Sequence, residues 1–179
     1  MNFTNPSSLL PERYEVINGV IYDMTPPPIE IHQRIVSNLV IKFGSYLEGK
    51  SCKVYPAPFG VWWNETSDEH VEPDVVVVCD PSKIREKGCI GAPDLIVEVL
   101  SRSTAGKDRG VKLKKYRSSG VKEYWMIDPV NELVEVYLFK TNMFREPDVY
   151  EVNEGNEGNA IISVGIFDDL KIDVRQLFV

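Results

Sequence analysis

Apolar residues recur along this chain at two spacings, and each spacing marks a different kind of element. Residues 14–24 set Asn18-Gly19, a two-residue turn signal, between two apolar runs, which predicts a β-hairpin. After Pro26, Pro27 and Pro28 the period changes. Between about Ile29 and Glu48, the residues Ile35, Val36, Leu39, Val40, Phe43, Tyr46 and Leu47 share one helical face, while Glu30, Gln33 and Lys42 fall off it. His32 lies near the middle of that apolar face. Residues 52–64 predict a strand pair bent near Pro56, Pro58 and Gly60, followed by a polar loop from Asn64 to Glu72.

Two short runs, Asp74 to Cys79 and Asp94 to Leu100, each open on Pro-Asp and are rich in valine, leucine and isoleucine. Such runs predict strands buried on both faces. A helix is expected over Thr104–Ser119, closed by Gly120 as its C-terminal cap. Strands follow at Glu123–Ile127 and Leu133–Phe139, joined through Asp128-Pro129-Val130-Asn131. Residues 150–152, 160–164 and 173–178 predict an edge hairpin and a short terminal helix, with a mobile Gly/Asn-rich loop at 153–159. This order implies an α/β (mixed α+β) domain spanning 1–179, with a central mixed sheet flanked by helices and no regular βα alternation. No GxGxxG or P-loop phosphate cradle is present, so a nucleotide cofactor is not expected.

Composition changes this picture little. With 43% hydrophobic and 26% charged residues in 179, the chain reads as globular, without a disorder signature. The net charge of −7 argues against tight, charge-driven coating of nucleic acid. It leaves open an enzyme acting on nucleic acid through a local basic patch or bound cations. Cys52, Cys79 and Cys89 lack zinc-ligand or CxxC spacing; Cys52 and Cys79, in predicted strands, are expected as small buried thiols, and an odd number without a framework suits a reducing cytoplasm. No signal-peptide pattern opens the chain, and no run approaches the roughly 20 apolar residues of a membrane helix, so no membrane association is expected.

Glu98 is the anomaly in the pattern. It interrupts Leu95-Ile96-Val97 and Val99-Leu100 in a strand that otherwise calls for full burial. A buried carboxylate there costs several kcal/mol unless it is paired or bound to a cation. Both readings, a buried lysine or arginine and a divalent metal, stand at this point. Asp94 shares its face but lies four residues away, roughly 13 Å along a strand, too far to share one ion whose ligand bonds are about 2 Å. Asp74 opens the neighbouring run, where an adjacent strand would lie only about 5 Å off. Asp74 and Glu98 are therefore the pair expected to converge, with Asp94 ending a loop or capping its strand. In the following helix Asp108, Lys112 and Tyr116 repeat at i, i+4, so Lys112 borders the apolar arc, Lys114 points to solvent and Lys115 is intermediate. An ordinary Asp108–Lys112 helix pair would explain that spacing by itself.

Pro73-Asp74 followed by Glu98 resembles the bipartite motif of the PD-(D/E)xK nuclease superfamily. More closely, the chain resembles the Uma-type putative endonucleases. The matching stretches are 14–19, 32–36 and 72–77, then Ala92-Pro93-Asp94-Leu95 through Glu98-Val99-Leu100-Ser101 to Asp108, Lys112, Tyr116, Gly120-Val121 and Glu123-Tyr124-Trp125. The resemblance implies a restriction-endonuclease-like fold and hydrolysis of phosphodiesters, most naturally in DNA. It implies Mg²⁺, with Mn²⁺ as a substitute, held by Asp74, Glu98 and the Val99 carbonyl. The superfamily lysine two residues after the second acid is here Leu100, and the resembled family supplies it from the next helix, which is Lys112. By the same resemblance His32 gains a site-facing role beside its ordinary reading as a core histidine, and Glu15 joins the acidic cluster. A homodimer is the default for an enzyme that cuts both strands of a duplex. Two competing readings are carried forward: a catalytically silent nuclease-fold binding or regulatory module, and a phosphoesterase acting on small molecules. Trp62 and Trp63, adjacent on one strand, are expected to face opposite ways.

Overall fold

The structure, a computed structural model, describes residues 11–24, 28–139, 145–152 and 160–179. The first turn is dictated by two residues. Asn18 (φ 52°) and Gly19 (φ 75°) both take positive φ, as a type I′ turn requires, and join β1 (Tyr14–Ile17) to β2 (Val20–Asp23). The amphipathic run forms α1 (Glu30–Leu47), which buries Ile35, Val36, Leu39, Phe43 and Leu47 together with His32. Short strands follow: β3 (Lys53–Pro56), β4 (Gly60–Trp62), β5 (His70–Val71), β6 (Val75–Val78), β7 (Ile84–Arg85), β8 (Gly88–Ile90) and β9 (Leu95–Val99). A helix labelled α2 covers 105–119 in three stretches: an α-turn at Ala105–Lys107, a π-helical turn at Asp108–Lys112, and α-helix from Leu113 to Ser119. Gly120 caps it in the left-handed region, at φ 93°. The chain closes with β10 (Glu123–Asp128), β11 (Leu133–Leu138), β12 (Asp148–Glu151), β13 (Ile161–Ser163), β14 (Lys171–Asp173) and a 3₁₀ turn at Val174–Leu177.

Among the described residues the strands build two six-stranded sheets and a two-stranded ribbon. One sheet runs β2-β1-β5-β4-β8-β7, the other β12-β11-β10-β9-β6-β3, and β13 pairs with β14. The second sheet is mixed: β9 lies parallel to β10 and antiparallel to β6. Its two faces follow from strand alternation. Val75, Val77, Leu95, Val97, Val99, Trp125 and Ile127 face α1 and the C-terminal Ile162, Ile172, Val174 and Leu177. Val76, Val78, Ile96, Leu100, Tyr124 and Met126 face the other way, against Tyr116 of α2 and against Ile17, Val61, Val71 and Cys89 of the first sheet. Coverage on both faces explains why β6 is four valines. It also means that Glu98, between Ile96 and Leu100, points into the layer shared with α2 and the first sheet.

Several expectations need correction. A strand pair was expected over 52–64, but β3 and β4 part at the bend around Ala57-Pro58 and enter different sheets. The polar loop 64–72 contains β5, which bridges β1 and β4. The β7–β8 hairpin was not anticipated, and the single central sheet is accompanied by a second. Residues 160–164 pair with 171–173 in a separate ribbon, while β12 forms the edge of the large sheet. The loop 153–159 and the opening of the chain lie outside the described residues. Cys52 and Cys79, which flank the β3–β6 pairing, are joined in a disulfide and are not separate thiols, so they give no argument for a reducing compartment. Cys89 stays free and buried, its thiol pushed up to about 11 by burial. Among the described residues no helix is long and apolar enough to cross a membrane. The two tryptophans divide as expected, Trp63 against the core near Tyr116 and Trp62 beside His70.

Candidate active site

The register of the β6–β9 pairing decides which acids meet. Val75 lies opposite Val97 and Val76 opposite Ile96, so the residue before β6, Asp74, falls across from Glu98. Asp74 leans over the end of β9 and accepts the Val99 N–H at Oδ2, 2.7 Å away. His32, delivered by the first turns of α1, sets Nε2 3.2 Å from the same oxygen. Its other ring nitrogen, Nδ1, is buried without a hydrogen-bond partner among the described residues. Asp94 takes no part. It accepts from Cys79 N–H and from Lys122 at the opposite end of β9, as expected of a strand cap.

Glu98 is buried, and its Oε1 accepts two hydrogen bonds, from Lys112 Nζ at 2.8 Å and Tyr116 O–H at 2.6 Å. Lys112 also lies 2.7 Å from Glu15 Oε1 and 3.7 Å from Asp108 Oδ1. Glu15 comes from β1 of the first sheet and is fully buried. Its Oε1 accepts Glu72 N–H as well, and its Oε2 accepts Lys107 Nζ at 2.6 Å. The ionic pairing of Glu98 is present, a lysine gripping one carboxylate oxygen, and Asp74 stands across the strand.

The π turn explains how one helix supplies this arrangement. In a regular α-helix residues five apart are separated by about 140° around the axis. The i→i+5 pattern of Asp108–Lys112 widens that turn, so Lys107 and Lys112 both reach Glu15. The i, i+4 stripe read from the sequence correctly grouped Asp108, Lys112 and Tyr116. It missed Lys107 as a member of the site and the grip of Tyr116 on Glu98. Two glycines inside the helix, Gly106 and Gly110, are the sequence sign of irregularity there.

Three buried carboxyls around Lys112 repel one another. Burial pushes Glu98 up to about 8, with Asp108, Asp74 and Glu15 adding to the rise and Lys112 opposing it. Asp108 is raised by burial, again against the pull of Lys112. Burial acts on Glu15 in the same sense, but Lys112 and Lys107 outweigh it and hold Glu15 below the ordinary carboxylate value. Burial disfavours a charged Lys112, yet Glu98, Glu15 and Asp108 overcome it and keep the ammonium far above its usual range. Tyr116 is raised well above its usual value by burial and by the neighbouring Glu98 charge.

The donor set suits a hard cation in kind: two carboxylates and the Val99 carbonyl are all oxygen ligands. Glu98 Oε2 and Asp74 Oδ1 carry no hydrogen bond among the described residues, which leaves one oxygen of each carboxylate for a ligand. No group of three or more His, Cys, Asp or Glu side chains among those residues is arranged to hold an ion. A cation such as Mg²⁺ therefore fits only with part of its shell completed by water or a substrate phosphate, which is its habit in phosphoryl chemistry.

Residues 8–175 match the model of Uma2, described as a putative restriction endonuclease family. The chain belongs to the Uma2 family. Two uncharacterized proteins of Synechocystis sp. (strain ATCC 27184 / PCC 6803 / Kazusa) resemble this Uma2 member, each 30% identical. One aligns over 82% of this chain and 70% of its own length, the other over 70% and 72%. The crystal structure of a putative nuclease belonging to DUF820 from Anabaena variabilis ATCC 29413 superimposes with a TM-score of 0.73 at 25% identity, covering 94% of this chain and 93% of that one. The Uma2 member thus shares the architecture of that neighbour over almost its full length.

Proposed function

We propose that this protein is a metal-dependent nuclease that hydrolyses phosphodiester bonds in DNA. The observation that carries the reading is Asp74 standing across from Glu98 on adjacent strands, with a buried lysine on Glu98, in a chain of the Uma2 family. Asp74, Glu98 and the Val99 carbonyl would hold Mg²⁺, or Mn²⁺ in its place. When bound, the ion supplies Lewis-acid polarisation of a phosphoryl oxygen and a more acidic water. The chain's own residues do the rest. His32 and Val99 N–H fix the Asp74 carboxylate, and Tyr116 and Lys112 fix Glu98 by one oxygen and leave the other for the ligand. Water attacks phosphorus, the bond to the leaving deoxyribose oxygen breaks, and the proton that the attacking water sheds is balanced by the one taken up by that oxygen. The buried Lys112 ammonium and the Glu15 carboxylate that orients it keep a cation beside the charge that builds on phosphorus. Two copies of the chain, each with one site, would address the two strands of a duplex.

The test is cleavage of supercoiled plasmid and of a labelled duplex with Mg²⁺ or Mn²⁺, comparing wild type with Asp74→Asn and Glu98→Gln. Metal-dependent cutting that both variants abolish is the expected result; full activity in either would remove that residue from the mechanism. A second reading, a silent nuclease-fold binding module, draws on one observation: Lys112 is buried between Glu98 and Glu15, with Asp108 as a third carboxylate beside it. Calorimetric titration of Mg²⁺ and Mn²⁺ into wild type and Glu98→Ala separates the two. A silent module binds no metal, whereas a nuclease binds it and loses binding in the variant.

A further inference from the structure

We infer that Lys107, not Lys112, is the lysine that meets the substrate phosphate. This rests on the nuclease reading above and names the group that recognises its substrate. Lys112 is committed on every side: Glu98 at 2.8 Å, Glu15 at 2.7 Å and Asp108 at 3.7 Å, with only 3% of its side chain exposed. Glu98 and Glu15 take two of its three hydrogens, Asp108 Oδ1 lies just beyond hydrogen-bond length, and at 3% exposure the ammonium is shut away from an incoming phosphate. Withdrawing it would strand two buried carboxylates, the costly way to break a buried ion pair. Lys112 holds the site together.

Lys107 differs in each respect. It has one carboxylate partner, Glu15 Oε2 at 2.6 Å, and its side chain is 13% exposed. Its ammonium lies 5.4 Å from the centre of the Tyr22 ring on β2, a contact a swinging lysine leaves at small cost. When Lys107 departs, Glu15 keeps Lys112 and Glu72 N–H on Oε1, so its charge stays compensated although Oε2 gives up its hydrogen bond. A lysine stem has four rotatable bonds and carries a compact point charge, which suits transfer from a carboxylate to a phosphodiester oxygen. Glu15 thus acts as a resting place for Lys107 in the substrate-free protein. The widened π turn is what brings a second lysine within reach of it.

The test measures binding of a fluorescein-labelled mixed-sequence duplex of about 30 base pairs by anisotropy, with Ca²⁺ in place of Mg²⁺ to prevent cutting, across a salt series. Loss of one phosphate contact in Lys107→Gln is expected to weaken binding about tenfold at low salt and to reduce the slope of log K against log salt by about 0.9. Lys107→Arg should restore both. The melting temperature of Lys107→Gln should fall by roughly 3–12 °C, the loss of one charge-assisted bond to buried Glu15, with the protein still folded at the temperature of the binding assay. A merely structural role for Lys107 would not change the salt slope. If wild type binds and Lys107→Gln binds with the same slope, the inference is overturned and the nuclease reading stands. If wild type itself binds no duplex, the DNA nuclease reading fails and takes this inference with it.

Discussion

Lys112 and Glu98 touch each other, yet their removal is expected to move stability in opposite directions. Lys112→Met replaces the ammonium by a similar volume and leaves Glu98, Glu15 and Asp108 facing one another in a buried space. Removing one member of a buried ion pair costs about 3–5 kcal/mol. In a chain of this length each kcal/mol lowers the melting temperature by roughly 2–4 °C, so a fall of about 6–20 °C is expected. Glu98→Gln keeps an oxygen for Lys112 and Tyr116 to bond and removes a charge that Asp108, Asp74 and Glu15 repel. Its effect depends on pH, with a definite sign. The Glu98 carboxyl titrates near 4.5 when unfolded and near 8 when folded, so between these values the folded state holds a proton that the unfolded state has released. The stability contributed by protonated Glu98 is complete below about 4.5 and is lost as pH rises toward 8, by at most about 1.4 kcal/mol per pH unit. Glu98→Gln lacks that slope. Thermal melts in EDTA at pH 5.5 and 8.5 should show Lys112→Met below wild type at both and further below at 8.5. Glu98→Gln should match wild type at 5.5 and exceed it at 8.5. A Glu98→Gln variant less stable than wild type at pH 8.5, or a Lys112→Met variant with no loss, would refute the account of three carboxyls crowding one lysine.

Three further outcomes can be checked. Reducing Cys52–Cys79, which closes a loop of sequence separation 27, should cost about 3–4 kcal/mol on loop-entropy grounds, read as a lower urea midpoint with dithiothreitol and matched by the double serine variant. An unchanged midpoint would mean that the bond adds nothing. His32→Ala leaves Asp74 without its imidazole neighbour and should weaken Mn²⁺ binding by about tenfold in calorimetry; equal affinity would confine His32 to the core. Asn18→Val puts a β-branched residue at φ 52° and should cost about 1–2 kcal/mol by chemical denaturation, a loss absent if the turn simply changes type.

The sequence disclosed what its local patterns encode and little of what distant pairing decides. Period and turn chemistry located the hairpin at Asn18-Gly19, the face of α1 and the two valine- and isoleucine-rich strands, because each is a statement about neighbours a few residues apart. The site followed as far as one strand interrupted by a carboxylate could indicate: Asp74 across from Glu98, and Lys112 at the edge of the core. Strands of two or three residues such as β5, β7 and β8 carry too few positions for a period to show. The partition of β3 and β4 between sheets is set by the bend at Ala57-Pro58 and by which edge each strand meets, neither of which a window of sequence contains. Lys107 was hidden for a different reason. Helical spacing assumes a uniform helix, and the π turn shifts everything before it out of phase with Lys112 and Tyr116.

Glu15 reaches the site from a hairpin that leaves the ribosome long before its partners. Its contact with Lys107 spans 92 residues, and the lysines that compensate its charge are made only after all of the first sheet and half of the second. During synthesis the carboxylate must therefore stay hydrated, which keeps β1 from burying that face early. Its burial waits for α2, so the N-terminal hairpin is expected to dock late, with the slow closure typical of contacts between distant segments. Chain loss or damage near residue 15 would be felt in the helix that carries the lysines, although the two ends of that contact share no local sequence.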